Sequence, residues 1–233
     1  MGLRQDIERD VTEILRTNWE RRDGKAIPEA EDVELGNDAV CLNGTVLYAD
    51  MSDSTGLVDG YKDWFAAEIY KTYLISACRI IRASGGEITA FDGDRVMAVF
   101  IGDSKNTSAA RTALTINYVV SEVINSAIKA QYPNESFKIN QVVGIDTSPL
   151  FVARTGIRGS NDLVWVGRAA NYAAKLSNLS LPGYATLITQ AVFDSLADSA
   201  KYGGQPRRIM WEKDTWPGGS MTIYKSSWWW PVD

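Results

Sequence analysis

A tight Asp92-Gly93-Asp94 turn separates two short apolar runs, Ile88–Phe91 and Val96–Ile101, and constrains the fold more than any other segment. An Asp-Gly dipeptide supplies the positive φ that a two-residue hairpin needs, so the runs are expected to pair antiparallel. Helical periodicity flanks the hairpin on both sides. Upstream, Trp64, Phe65, Ile69, Tyr73, Leu74, Cys78 and Ile81 line one face of a helix expected from about Asp59 to the Gly85-Gly86 pair, which suits a helix C-terminus. Downstream, Leu114, Val120, Val123, Ile124 and Ile128 mark a helix over about 109–129. A strand at Val46–Tyr48 precedes the first helix, and strands at Lys138–Ile145 and Leu150–Arg154 follow the second. The order β-α-β-β-α-β predicts an α+β fold with a ferredoxin-like core, a sheet backed by helices.

Additions stand at both ends of this core. Leu3, Ile7, Val11, Ile14, Leu15 and Trp19 predict an amphipathic helix over 3–22, and an acidic connector, Glu29–Glu34, leads from it to the first strand. After the core come the run Leu163–Val166, a helix from Arg168 to Asn178, a strand at Ala185–Thr189, a short helix over 191–197 and strands near Arg208–Glu212 and Met221–Tyr224. Three parts follow: 1–43 as helix and connector, 44–225 as a catalytic-type domain, and 226–233 as a Trp-rich tail. The tail, with Trp228, Trp229 and Trp230, is too apolar to be left in water and is expected to pack on the body or on a second subunit.

Composition removes several chemistries. The 233 residues contain no histidine, which excludes Ser-His-Asp and Cys-His catalysis and histidine-ligated zinc. Carboxylates, Lys, Arg and bound metal ions must then carry any reaction. Two cysteines, Cys41 and Cys78, form no CxxC and suit a reducing compartment, and the charged start resembles no signal peptide, so a cytoplasmic location is expected. A net charge of −5 argues against nucleic-acid binding, and no apolar run approaches the length of a membrane span.

Two aspartates stand where strands run into turns: Asp50, in Thr45-Val-Leu-Tyr-Ala-Asp-Met-Ser-Asp-Ser-Thr-Gly56, and Asp94 in the hairpin turn. Either one alone reads most simply as a cap or a solvated turn residue. If their strands pair, the two carboxylates meet at one sheet edge and can hold one or two Mg²⁺ ions against a phosphorylated substrate.

Three blocks together resemble the catalytic domain of the class III nucleotidyl cyclases, over about residues 44–225. Tyr48-Ala-Asp50-Met-Ser-Asp-Ser-Thr55 stands where the family carries Phe-x-Asp-Ile-x-Gly-Phe-Thr, and Gly93-Asp94 stands at its second metal aspartate. Val166-Gly-Arg-Ala-Ala-Asn-Tyr-Ala-Ala-Lys-Leu176 is similar to its Gly-x-x-x-Asn-x-Ala-x-Arg segment. The resemblance implies that Asp50, Asp94 and the Met51 main-chain carbonyl hold two Mg²⁺ or Mn²⁺ ions. It places Ser52, Asp53, Ser54 and Thr55 around the triphosphate, Asn171 on the ribose and Lys175 on the α-phosphate. It also implies a homodimer whose sites draw the aspartates from one subunit and Asn171, Lys175 and the base pocket from the other.

Departures from the family pattern bear on the substrate. Lys175 replaces an Arg, keeping the charge without the planar fork, while Asp53 and Ser54 replace Gly and Phe. The two positions that read a purine in the family are Ala90 and Val164, beside Phe91 and Trp165. Neither Ala90 nor Val164 can hydrogen-bond a purine edge. That pattern resembles the pyrimidine cyclases of bacterial antiphage defence, which make cyclic CMP or cyclic UMP for a separately encoded effector, and looks more like the uridylate-forming members. Arg95 and Thr89 are the candidate base donors. A purine cyclase with an altered pocket and a non-catalytic cyclase-like domain are the alternatives.

Overall fold

The structure, a computed structural model, describes residues 2–232. In chain order the elements are α1 (Leu3–Arg16), β1 (Glu20–Asp23), β2 (Asp38–Ser52), α2 (Ser54–Gly60), α3 (Asp63–Ala83), β3 (Glu87–Asp92), β4 (Arg95–Phe100), α4 (Lys105–Tyr118) and α5 (Asn125–Gln131). There follow β5 (Asn140–Ile157), β6 (Ser160–Val166), α6 (Arg168–Ser177), β7 (Thr186–Thr189), α7 (Gln190–Asp194), α8 (Asp198–Lys201), β8 (Tyr202–Gly203), β9 (Arg208–Ile209), β10 (Glu212–Thr215) and β11 (Thr222–Ser226). The chain forms two compact units, one from residues up to Asn43 with Pro149–Gly167, the other from Gly44–Ser148 with Arg168 onward.

In the larger unit the strands run in the order β10-β11-β7-β5-β2-β4-β3. The central four, β5-β2-β4-β3, have the neighbour order of a ferredoxin-like sheet, as the element order predicted. The hairpin forms as expected, with a two-residue turn, Gly93-Asp94, in which Gly93 takes φ of +63°. Glycine at the first turn position removes the steric cost of that φ. Side chains alternate across β2, so Leu47, Ala49 and Met51 join the main core under α3 and α4 while Tyr48 and Asp50 take the other face. On that other face a smaller cluster of Val142, Leu176, Leu187 and Ile223 seats α6.

The first core helix ends at Ala83, where Gly85 takes φ of +79° and Gly86 N–H reaches the Ile81 carbonyl at 3.0 Å. The second is broken into α4 and α5 by a π-helical turn, Val119–Ile124. The tryptophan tail packs on this unit. Trp230 N–H donates to the Leu114 carbonyl at 3.0 Å, Asn117 donates to the Trp228 carbonyl at 3.0 Å, and Trp229 lies 5.1 Å from Tyr118.

In the smaller unit α1 stops at Arg16, short of the predicted end. Asn37 Nδ2 donates to the Ile14 and Thr17 carbonyls, satisfying acceptors at the helix end. The following Glu20–Asp23 pairs in parallel with Asp38–Cys41, and Trp19 packs edge-on against Phe151 at 4.9 Å. Leu3, Ile7, Val11, Ile14 and Leu15 are all exposed, so the apolar stripe of α1 is unburied within the chain.

Candidate active site

β2 and β4 pair with Asp50 opposite Arg95, so the strand carrying the first aspartate ends beside the turn carrying the second. Burial and the negative charge of Asp94 push the Asp50 carboxyl up to about 6, while Arg95 pulls the other way. One Asp94 oxygen, Oδ2, is buried without a hydrogen-bond partner. Two carboxylates that repel each other, one with an unsatisfied oxygen, fit a divalent cation, which would neutralise both. Among the described residues no three His, Cys, Asp or Glu side chains gather into a metal cluster. The protein therefore offers two carboxylates and backbone, which suits an ion that keeps waters and takes substrate phosphate oxygens as ligands.

Beneath this edge Tyr73 of α3 is fully buried and its hydroxyl has no hydrogen-bond partner. Burial, then the charges of Asp50 and Asp94, raise its pKa well above the ordinary tyrosine value, so it stays a donor. Helical spacing marked Tyr73 only as a core residue, and its hydroxyl carries no further signal in the sequence.

Arg95 lies over the Tyr48 ring at 5.3 Å, with Nη2 on Asp92 at 2.6 Å and Nη1 at 3.5 Å from Asn178 Oδ1. It therefore stands beside Asp50, over an aromatic ring. Thr89 is turned to backbone, with Oγ1 3.5 Å from the Met97 carbonyl.

Met51 is buried, and Ser52, Asp53, Ser54 and Thr55 form the turn into the first residues of α2. Asp53 takes φ of +59°, the only non-glycine residue with positive φ among those described. It stands where the resemblance has glycine, and the left-handed backbone gives the reason: an Asp there costs about 1 kcal/mol that glycine would not. Its carboxylate folds back over Gly56, where an added Cβ would meet both carboxylate oxygens at 2.7 Å, and it makes no side-chain cap bond.

Asn171 and Lys175 are both exposed, one turn apart on α6, and share a face as expected. Lys175 Nζ lies 5.7 Å from the Tyr172 ring. No hydrogen bond or ion pair among the described residues joins either one to Asp50 or Asp94.

Ala90 sits at a bulge in β3 opposite Met97, and Phe91 beside it is 59% exposed. Val164 is exposed in β6, while Trp165 is buried with Nε1 unpartnered. Adjacent residues on a strand face opposite ways, so Ala90 and Phe91 point apart, as do Val164 and Trp165.

No family model matches the chain. Among solved structures it is similar to the adenylyl cyclase CyaB from P. aeruginosa, with a TM-score of 0.69 and 20% identity over 84% of this chain and 96% of that one. It is also similar to the guanylyl cyclase Cya2, at TM-score 0.67 and 16% identity, over 82% and 94%. In sequence it is 52% identical to a protein named uridylate cyclase from Xanthomonas perforans and 50% identical to another from Burkholderia cepacia, each over 100% of both chains. A third of that name, from Rhodovulum sp., is 40% identical over 98% of both. With these relatives the chain is a nucleotidyl cyclase, and its α+β sheet has the fold of adenylyl and guanylyl cyclase domains. Within that class it belongs to the uridylate cyclase family.

Proposed function

We propose that the protein converts UTP to 3′,5′-cyclic UMP and pyrophosphate, as the second-messenger step of an antiphage defence. The observation that carries the base assignment is identity of 52% and 50%, over full length, to proteins named uridylate cyclase. The apolar side chains of Ala90 and Val164 support it, since a site that reads a purine needs polar partners there. Arg95 is the candidate donor to the uracil O4, an acceptor that cytosine lacks.

Asp50, Asp94 and the Met51 carbonyl would hold two Mg²⁺ or Mn²⁺ ions. Such ions lower the pKa of the ribose 3′-hydroxyl and neutralise the triphosphate. Ser52–Thr55 would receive the triphosphate on backbone N–H groups, Asn171 would orient the ribose, and Lys175 would place its charge on the α-phosphate as pyrophosphate leaves. No side-chain base is needed, which fits a chain without histidine.

The exposure of Asn171 and Lys175 supports a homodimer in which each site takes its aspartates from one subunit and α6 from the other. Residues 44–225 would form the catalytic domain, with 1–43 and 226–233 as additions. None of the described helices is long and apolar enough to cross a membrane, and we place the enzyme in the cytoplasm, its product acting on a separate effector. Incubation with each of ATP, GTP, CTP and UTP plus Mn²⁺, with products read by mass spectrometry, tests the proposal. Cyclic UMP from UTP is expected. Product from ATP or GTP alone would sink the pyrimidine reading, and no product from any would leave a non-catalytic domain.

A further inference from the structure

Asp146 is a charged residue inside the apolar run of β5, and it is fully buried. Its Oδ1 accepts from Thr189 Oγ1 at 2.5 Å and from Arg168 Nη2 at 3.0 Å, and its Oδ2 has no partner. Burial raises its pKa, and the bonds from Thr189 and Arg168 oppose that rise. Arg168 is the first residue of α6 and also donates to the Thr147 carbonyl at 3.0 Å. The next residue of α6, Ala169, donates its N–H to Ser148 Oγ at 2.9 Å. Further along, a Cβ on Gly144 would lie 2.2 Å from the Ala173 carbonyl oxygen, so the backbone of α6 rests directly on β5.

β5 thus supports α6 from end to end, with a backbone seat at Gly144 and polar ties at Asp146, Thr147 and Ser148. Asp146 is the costly member of the set. A buried ion pair that leaves one carboxylate oxygen unsatisfied is weak evidence of a stabilising role. Arg168 keeps 47% of its side chain in solvent, so removing Asp146 strands no buried charge. The arrangement is better explained by where it holds α6. Arg168 precedes Asn171 by one turn and Lys175 by two, on the same face of the helix. It also flanks the Tyr172 ring at 5.9 Å, on which Lys175 rests at 5.7 Å.

We propose that Asp146 is a positioning residue for catalysis: through Arg168 it sets the rotation and height of α6, and thereby where Asn171 and Lys175 meet the substrate. This rests on the reading of Asn171 and Lys175 as substrate-facing residues. An α6 shifted by about 1 Å is expected to cost on the order of a hundredfold in turnover.

The test is Asp146→Asn in the full chain, which keeps size and an acceptor for Thr189 but removes the charge that holds Arg168. Expected are a kcat lower by about tenfold to a hundredfold and a KM for UTP within about threefold, in a protein that remains folded. Arg168→Gln should give the same split, and the double variant should be no slower than either single one. A Tm loss with kcat unchanged in the folded protein would overturn the proposal, as would a strictly additive double variant. Mixed dimers localise the effect: Asp146→Asn should regain activity with Asp50→Ala but not with Asn171→Ala. Failure with Asp50→Ala, where Asn171→Ala with Asp50→Ala succeeds, would overturn the proposal while leaving the shared site standing. If Asn171→Ala itself is fully active, the underlying reading fails instead.

Discussion

The edge that carries Asp50 and Asp94 and the helix that carries Asn171 and Lys175 solve opposite problems. At the edge, acceptors are crowded: burial and mutual repulsion push Asp50 up to about 6, and Asp94 Oδ2 is left unsatisfied. On α6 an amide and an ammonium stand in solvent, with a rigid seat beneath them on β5. One region concentrates negative charge, and the other presents donors to solvent. On the proposed function neither is a site alone, and a nucleoside triphosphate with its metal ions would complete both at once.

The largest effect is expected from breaking the acidic side. Asp50→Ala or Asp94→Ala should lower turnover by about a thousandfold or more while leaving the protein folded, as read by steady-state kinetics and circular dichroism. On the basic side Lys175→Ala should cost about a hundredfold in kcat, because water and neighbouring groups replace part of its charge. Lys175→Arg, which restores the fork of the wider class, should stay within about tenfold of wild type in the same assay.

Acidity sharpens the contrast further. The ordinary carboxyl value is 3.8 and Asp50 is held near 6, so between these the metal-free folded chain binds more protons than the unfolded one. Its contribution to stability is therefore present below the unfolded value and lost as pH rises through about 6. Mn²⁺ needs the ionised form, so its affinity, read by titration calorimetry, should fall about tenfold per pH unit below 6. Asp50→Asn should remove both dependences. The smallest effect lies under the same edge: Tyr73→Phe removes an unpaired buried hydroxyl and should raise stability by about 1 kcal/mol in urea denaturation.

Much of the larger unit could be read directly because its signals were local. The Asp92-Gly93-Asp94 turn, the Gly85-Gly86 stop and the face shared by Asn171 and Lys175 each depend on residues a few positions apart. Pairing of distant segments was less visible. The two strands expected at 138–145 and 150–154 are one, β5, because Pro149 falls between its pairing with β7 at Val143–Ile145 and with β6 from Phe151 onward. There a missing N–H breaks neither ladder. Glu20–Asp23 is a strand without any apolar residue, held by register with Asp38–Cys41, and nothing in its composition signals that. At the candidate site the aspartates were legible as strand-end carboxylates. Asp146 was not, since its partners Arg168 and Thr189 are each more than twenty residues away in sequence.

The claim that the two regions are halves of one site contributed by different subunits is tested most directly by mixing Asp50→Ala and Asn171→Ala protomers. Random exchange makes half of the dimers mixed, each with one intact site, so about a quarter of wild-type turnover should return from two inactive parents. No recovery from dimers shown to be mixed would contradict the account.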